Sequence, residues 1–133
     1  TREAEAFAVN ATAVAHLATL QADGSPQVVP LWIDRHGERD LVFFTTAGSR
    51  KDRNVSRDPR VALSITAPDD AYAMATVRGE VVERIDGEEG MAIVDRLSQK
   101  YEGQPYGERE GFVAFVIRPS RWWGRAFGSD ATD

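Results

Sequence analysis

At 133 residues the chain has room for one domain with a real core and too little for two ordinary ones, and 42% hydrophobic with 28% charged residues is the balance of a globular protein. A net charge of −5 argues against broad nucleic-acid binding, which leans on surplus basic surface. The absence of cysteine excludes disulfide frameworks, thiolate nucleophiles and Cys-based zinc sites, so any redox chemistry has to come from a bound cofactor.

Along the chain, Ala4, Phe7, Ala8, Ala11 and Ala15 recur at helical spacing and predict a short amphipathic helix lying on something larger. "VAHLATLQADGSPQVVPLWID" then reads as two β-prone runs around the turn residues Ala22, Asp23, Gly24 and Ser25, a hairpin. "DRHGERD", Asp34 to Asp40, is a second polar turn leading into "LVFFTT", the third strand, after which Gly48 and Ser49 interrupt the pattern. "RVALSITA" and "YAMATVRGEVVERI" are two more strands, separated by Pro68, Asp69 and Asp70. Met91, Val94, Leu97 and Tyr101 share one face of the longest helix, over residues 88–101. "GFVAFVIRPSRWWG" is the last strand, and Gly128 to Asp133 reads as a frayed tail. The longest apolar runs are strand-sized and no signal-peptide pattern opens the chain, so the expectation is a cytoplasmic protein without a membrane segment. About six short strands joined mostly by hairpins, with helices confined to the connections, predict a mainly β antiparallel barrel formed by a single domain over 1–133.

Between the third and fourth strands the acidic chain concentrates Arg50, Lys51, Arg53, Arg57 and Arg60. Ser49 is placed to cap a short helix, with Asp52 three residues later, and Asp58 before Pro59 ends it. Arg50 and Lys51 in the first turn oppose the helix dipole, which an anion such as phosphate would offset; the alternative is a solvated basic face partly neutralised by Asp52 and Asp58. Other chemistry is thin. No Walker or nucleophile-elbow pattern is present, and His16 and His36 lack metal-ligand neighbours. Asp69-Asp70 and Glu88-Glu89 fit a turn and a helix start. Trp122 and Trp123 on one strand point to opposite faces, one toward the core and one outward to an interface or a ligand pocket.

The ordered blocks "HLATLQADGSPQVVPLWI", "LVFFTTAGSRKDRNVSRDPRVALSI", "YAMATVRGEVVE", "LSQKYEG" and "VIRPSRWWG" run from about Ala15 to Gly124. In them the chain resembles the F-420-dependent group of the pyridoxamine-phosphate-oxidase-like split β-barrel flavoproteins. The resemblance implies a homodimer of six-stranded split barrels that binds the deazaflavin coenzyme F-420, or alternatively FMN, in a groove at the subunit interface. Lys51 is implied as the phosphate contact, with Thr45, Thr46, Ser49 and Arg50 beside it, and Arg53 and Asn54 near the phosphate or bracing the loop. Pro30, Leu31 and Trp32 are implied along the cofactor ring. Tyr72 and Met74 fall where the second subunit approaches, as pocket residues or as dimer packing, with Tyr72 or water as a proton source. The implied activity is hydride transfer from reduced F-420 to a small unsaturated or quinone-like acceptor. A carrier that holds the cofactor without turnover is the competing reading. Neither nucleic acid nor membrane is an expected partner, and no metal is implied.

Overall fold

The computed structural model describes residues 12–126 and 129–131. Ala15–Leu20 (β1) and Pro26–Leu31 (β2) form the expected hairpin, with Ala15 opposite Leu31 and Leu20 opposite Pro26. Its turn closes because Gly24 adopts a φ of 86° and the Ser25 N–H donates to the Asp23 carboxylate at 2.9 Å, the turn chemistry that these residue types supply. Most of the helix expected over residues 4–15 lies outside the described residues. At its end, Ala13, Ala15 and Leu17 are buried and alternate with exposed Thr12, Val14 and His16. That period of two places Ala15 in a strand rather than a helix.

Asp34–His36 (β3) pairs with Asp40–Thr46 (β4), so the reversal expected over Asp34 to Asp40 narrows to residues 37–39. Arg50–Arg57 (α1), Arg60–Ala67 (β5), Asp70–Ile85 (β6), Gly87–Glu102 (α2), Phe112–Ala126 (β7) and Ser129–Ala131 (β8) follow. The strands form one antiparallel sheet in the order β2-β1-β5-β6-β7-β4-β3, with β8 added to β7. The six expected strands become eight because β3 and β8, three residues each, are too short to show an alternating pattern and form by pairing with longer neighbours. The tail expected to fray thus contributes a strand, with Ala131 opposite Gly124. Among the described residues β2 and β3 end the path without pairing to each other.

One face of the sheet gathers Leu17, Leu63, Ile65, Val77, Phe43 and Phe115 into a single core, so the sheet is rolled around that face. Val55 of α1 enters the same core. The opposite face of β4 and β7 is covered by α2, whose Ile93 and Leu97 pack on Val42, Ala114 and Val116. Both faces of β4 are therefore buried, which its unbroken "LVFF" run requires. α2 carries Glu88 and Glu89 in its first turn and stops at Gly103, whose φ of 76° is left-handed. Among the described residues no helix is long and apolar enough to cross a membrane.

Candidate functional site

The site grows from the junction between β4 and α1. Ser49 caps α1 by accepting the Asp52 N–H at 3.3 Å, and its hydroxyl lies 3.0 Å from the Thr45 hydroxyl. Asp52 turns back: its buried carboxylate accepts the Gly48 N–H at 2.7 Å, the Ser56 hydroxyl at 3.1 Å and the Arg84 guanidinium. Burial pushes the Asp52 carboxyl up, but the Arg84, Gly48 and Ser56 hydrogen bonds outweigh it and leave the group below its ordinary value, so it stays charged at neutral pH. The turn that precedes the basic helix is thus fixed at both ends.

Much of the basic cluster is spent internally. Arg50 donates to Gln21 Oε1 at 2.7 Å; Arg57 donates to the Leu20 carbonyl and to Asn54 Oδ1, each at 3.0 Å; Arg60 chelates Asp58. Arg60 holds the Asp58 carboxyl down at about 2. Asn54 is buried, its amide nitrogen donating to Thr19 at 3.0 Å and Gln27 at 3.3 Å, which ties α1 to the first hairpin. Lys51 and Arg53 differ: among the described residues neither side chain has a hydrogen-bond or ion-pair partner. Arg53 is exposed, whereas Lys51 is half-buried and lines a concavity.

That concavity, about 240 Å³, brings Pro30, Leu31, Trp32, Thr45, Thr46 and Lys51 together with Phe44, Tyr106 and Phe112. The aromatic rings form a contiguous wall. Trp32 meets Phe44 and Tyr106 edge-on at 6.1 Å, while Tyr106 contacts Phe44 at 5.4 Å and Phe112 at 5.3 Å. Behind the wall Trp32 stacks on Tyr101, with centroids 5.2 Å apart and planes within 10°. Tyr101 is pinned in turn, its hydroxyl donating to the Ala13 carbonyl at 2.6 Å and accepting the Ile33 N–H at 3.2 Å. Burial raises the Tyr101 phenol, which keeps that donor protonated. Lys100 donates to the Ile33 carbonyl at 2.8 Å and sits over the Tyr101 ring; burial lowers its ammonium below the ordinary value, against an upward pull from Asp34.

The arrangement offers flat apolar walls at one end and a cation with threonine hydroxyls at the other, a fit for a planar ring carrying a phosphate. Phe44, Tyr106 and Phe112 were not in the sequence-derived set. Phe44 follows core-facing Phe43 and therefore points to the other face of β4, a signal that strand alternation carried. Tyr106 sits in a Gly- and Pro-containing loop, and only the tertiary arrangement brings it to the wall. Tyr72 is 70% exposed at the start of β6, and neither it nor Met74 lines the concavity. Trp122 packs against the core inside the rolled sheet, while Trp123 lines a separate surface hollow with Thr76, Arg78 and Arg121. No group of His, Cys, Asp or Glu suited to a metal exists among the described residues.

Comparison with known proteins matches this geometry to a family. A solved F-420 reductase is 32% identical, with a TM-score of 0.76, over 86% of this chain and 91% of its own. Two curated proteins named pyridoxine/pyridoxamine 5'-phosphate oxidase are also similar. That of Rubrobacter xylanophilus is 26% identical over 79% of this chain, and that of Pseudomonas paraeruginosa 32% identical over 71%. The chain spans 61% and 40% of the length of those two proteins. The model of the pyridoxamine 5'-phosphate oxidase family matches residues 1–126, nearly the whole rolled sheet with its two helices and the aromatic wall, and the chain belongs to that family.

Proposed function

We propose that the protein is a deazaflavin-dependent oxidoreductase that binds F-420 in the concavity and reduces a small unsaturated or quinone-like compound. The observation that carries the reading is the juxtaposition of Lys51, without a partner among the described residues, with the Trp32, Phe44, Tyr106 and Phe112 wall. The similarity to the F-420 reductase over nine-tenths of that protein supports the choice of cofactor. When bound in reduced form, the deazaflavin supplies the hydride.

The chain's own residues bind, orient and exclude water. Lys51 and Thr46 neutralise and bond the phosphate, and the rings of Trp32 and Tyr106 hold the planar system. Ser49, Thr45 and Asp52 fix the turn that carries Lys51, while Arg50, Arg53 and Asn54 act as supports or outer neighbours. Hydride chemistry carried by a cofactor requires no acid–base constellation from the protein, in keeping with a sequence without a supported nucleophile.

A volume of about 240 Å³ is below the range of about 300–1,000 Å³ that encloses a ligand of this size. We therefore propose a homodimer of split barrels in which a second copy completes the pocket. Val28 shares its face of β2 with Pro30 and is 62% exposed, leaving an apolar strip beside the concavity for that copy to cover. Tyr72 and Met74 would reach the ligand only from the second copy, and water is otherwise the proton source.

FMN is the second reading, favoured by the family model and by the two oxidases. Parallel titration of purified protein with F-420 and FMN separates the two. Tighter F-420 binding with hydride delivery to a quinone supports the proposal; binding of FMN alone replaces it. Bound F-420 that no acceptor oxidises points to a carrier.

A further inference from the structure

Tyr106 reaches the aromatic wall from the loop over residues 103–111, whose residues other than Tyr106 are exposed. The loop has little apolar support from behind. A hollow of about 400 Å³ separates it from the start of α2, between Arg109, Glu110 and Gly111 on one side and Gly87, Glu88 and Met91 on the other. Phe112 borders both this hollow and the concavity, so the end of the loop, residues 109–111, runs beside open space. Apart from the edge contacts of the Tyr106 ring, polar contacts hold the segment.

The contacts converge on one residue. The Asp95 carboxylate of α2 accepts the Tyr106 N–H at 3.1 Å, and Arg109 donates to the Tyr106 carbonyl at 2.9 Å. Asp95 and Arg109 join each other through two hydrogen bonds of 2.7 and 2.9 Å. The two side chains therefore close a ring around the backbone of Tyr106, holding both its donor and its acceptor. The loop ends are tied separately, Gln104 O by the Ser98 hydroxyl at 2.7 Å and Gly111 O by the Ala47 N–H at 2.8 Å. Neither tie sets the direction of the Tyr106 ring.

We propose that Asp95 and Arg109 are positioning residues for ligand binding: they clamp Tyr106 so that its ring completes the wall against Trp32, Phe44 and Phe112 before any ligand arrives. The proposal rests on the reading of the concavity as a planar-cofactor site. Without the clamp the loop samples conformations in which the wall lacks one side, and the apparent affinity falls by the fraction of time the wall is complete.

The test compares Arg109→Ala and Asp95→Ala with Arg118→Ala, which breaks a bidentate pair whose arginine is similarly exposed, Arg118 with Asp40 at 3.2 and 3.1 Å, and which does not touch the concavity. FMN and F-420 are the probes, titrated into the intact protein. The expected result is about tenfold weaker binding of the preferred probe in both clamp variants, as for a competent fraction near one-tenth, with partial rescue in Arg109→Lys and no change in Arg118→Ala. In the pair Tyr106→Ala and Tyr106→Ala with Arg109→Ala, the second substitution adds no further loss, because the clamp acts through the ring already removed. Equal loss in Arg118→Ala, or full additivity with Tyr106→Ala, overturns the proposal.

Amide hydrogen exchange on the ligand-free proteins separates this inference from the functional reading. Exchange of the Tyr106 N–H should quicken in Arg109→Ala and not in Arg118→Ala. If the wild-type protein binds neither probe, the cofactor reading falls, while exchange still decides the clamp; unchanged Tyr106 protection sinks it.

Discussion

Lys51 and Arg57 carry the same charge on the same helix and are used differently. Arg57 is committed to Leu20 and Asn54, whereas Lys51 faces the concavity without a partner among the described residues. Lys51→Ala should therefore leave the urea midpoint nearly unchanged and weaken F-420 or FMN by about 1–3 kcal/mol, the value of a charge-assisted hydrogen bond. Riboflavin, which lacks the phosphate, should bind both forms alike, and added salt should shrink the difference. Calorimetry with the three ligands checks this. Asn54→Ala should do the reverse. It strands the buried Thr19 hydroxyl and removes the bonds to half-buried Gln27 and to Arg57, so unfolding should become easier by about 1–3 kcal/mol, read by urea denaturation. The sequence flagged every one of these residues by its charge or its place in the block, but not which were spent. What each side chain bonds to depends on neighbours far along the chain: Gln21 for Arg50, the Leu20 carbonyl for Arg57, Arg84 for Asp52.

At the scale of elements, α1 is anchored through Asp52, which links the Gly48 turn to Arg84 of β6. Its carboxyl titrates below its ordinary value when folded, so on acidification the unfolded chain takes up the proton first. The stability it supplies is complete above the unfolded value of about 3.9 and is lost as pH falls through the folded one. Asp52→Asn should lower the urea midpoint at pH 7 and flatten the acid limb of stability against pH; an acid limb as steep as the wild type's would remove Asp52 from it. α2 is seated by close backbone approach instead. A Cβ on Gly90 would lie 2.5 Å from the Ile85 carbonyl oxygen, so Gly90→Ala should destabilise by about 1–3 kcal/mol through overpacking, despite the higher helix propensity of alanine. Thermal unfolding measures it. α1, α2 and the long strands were legible because caps and periodicity are local. β3 and β8 were not, since three residues pair only where a neighbouring strand presents its edge. Ala15 misled for a related reason: over so short a stretch, alanines fit helical and strand spacing equally well, and burial broke the tie.

For the whole molecule, the exposed strip around Val28 and the small volume of the concavity lead to an expected homodimer with ligand bound in a pocket shared between copies. Light scattering at micromolar concentration, with and without cofactor, measures it; a stable monomer that binds ligand with full affinity would refute the shared pocket. Length, patterning, absent cysteine and the ordered blocks were enough, from the sequence, for a mainly β antiparallel fold, the order of its long elements and the family, and they named six of the residues that line the concavity. These properties are carried by neighbours along the chain or by blocks that remain recognisable one at a time. The tertiary structure decided which cations lack a partner among the described residues, that Phe44, Tyr106 and Phe112 join Trp32 in one wall, and that Tyr72 stands outside the concavity. Those facts depend on how a rolled sheet brings residue 32 beside residue 106. Such contacts join positions more than seventy residues apart in the chain, and no local spacing encodes them.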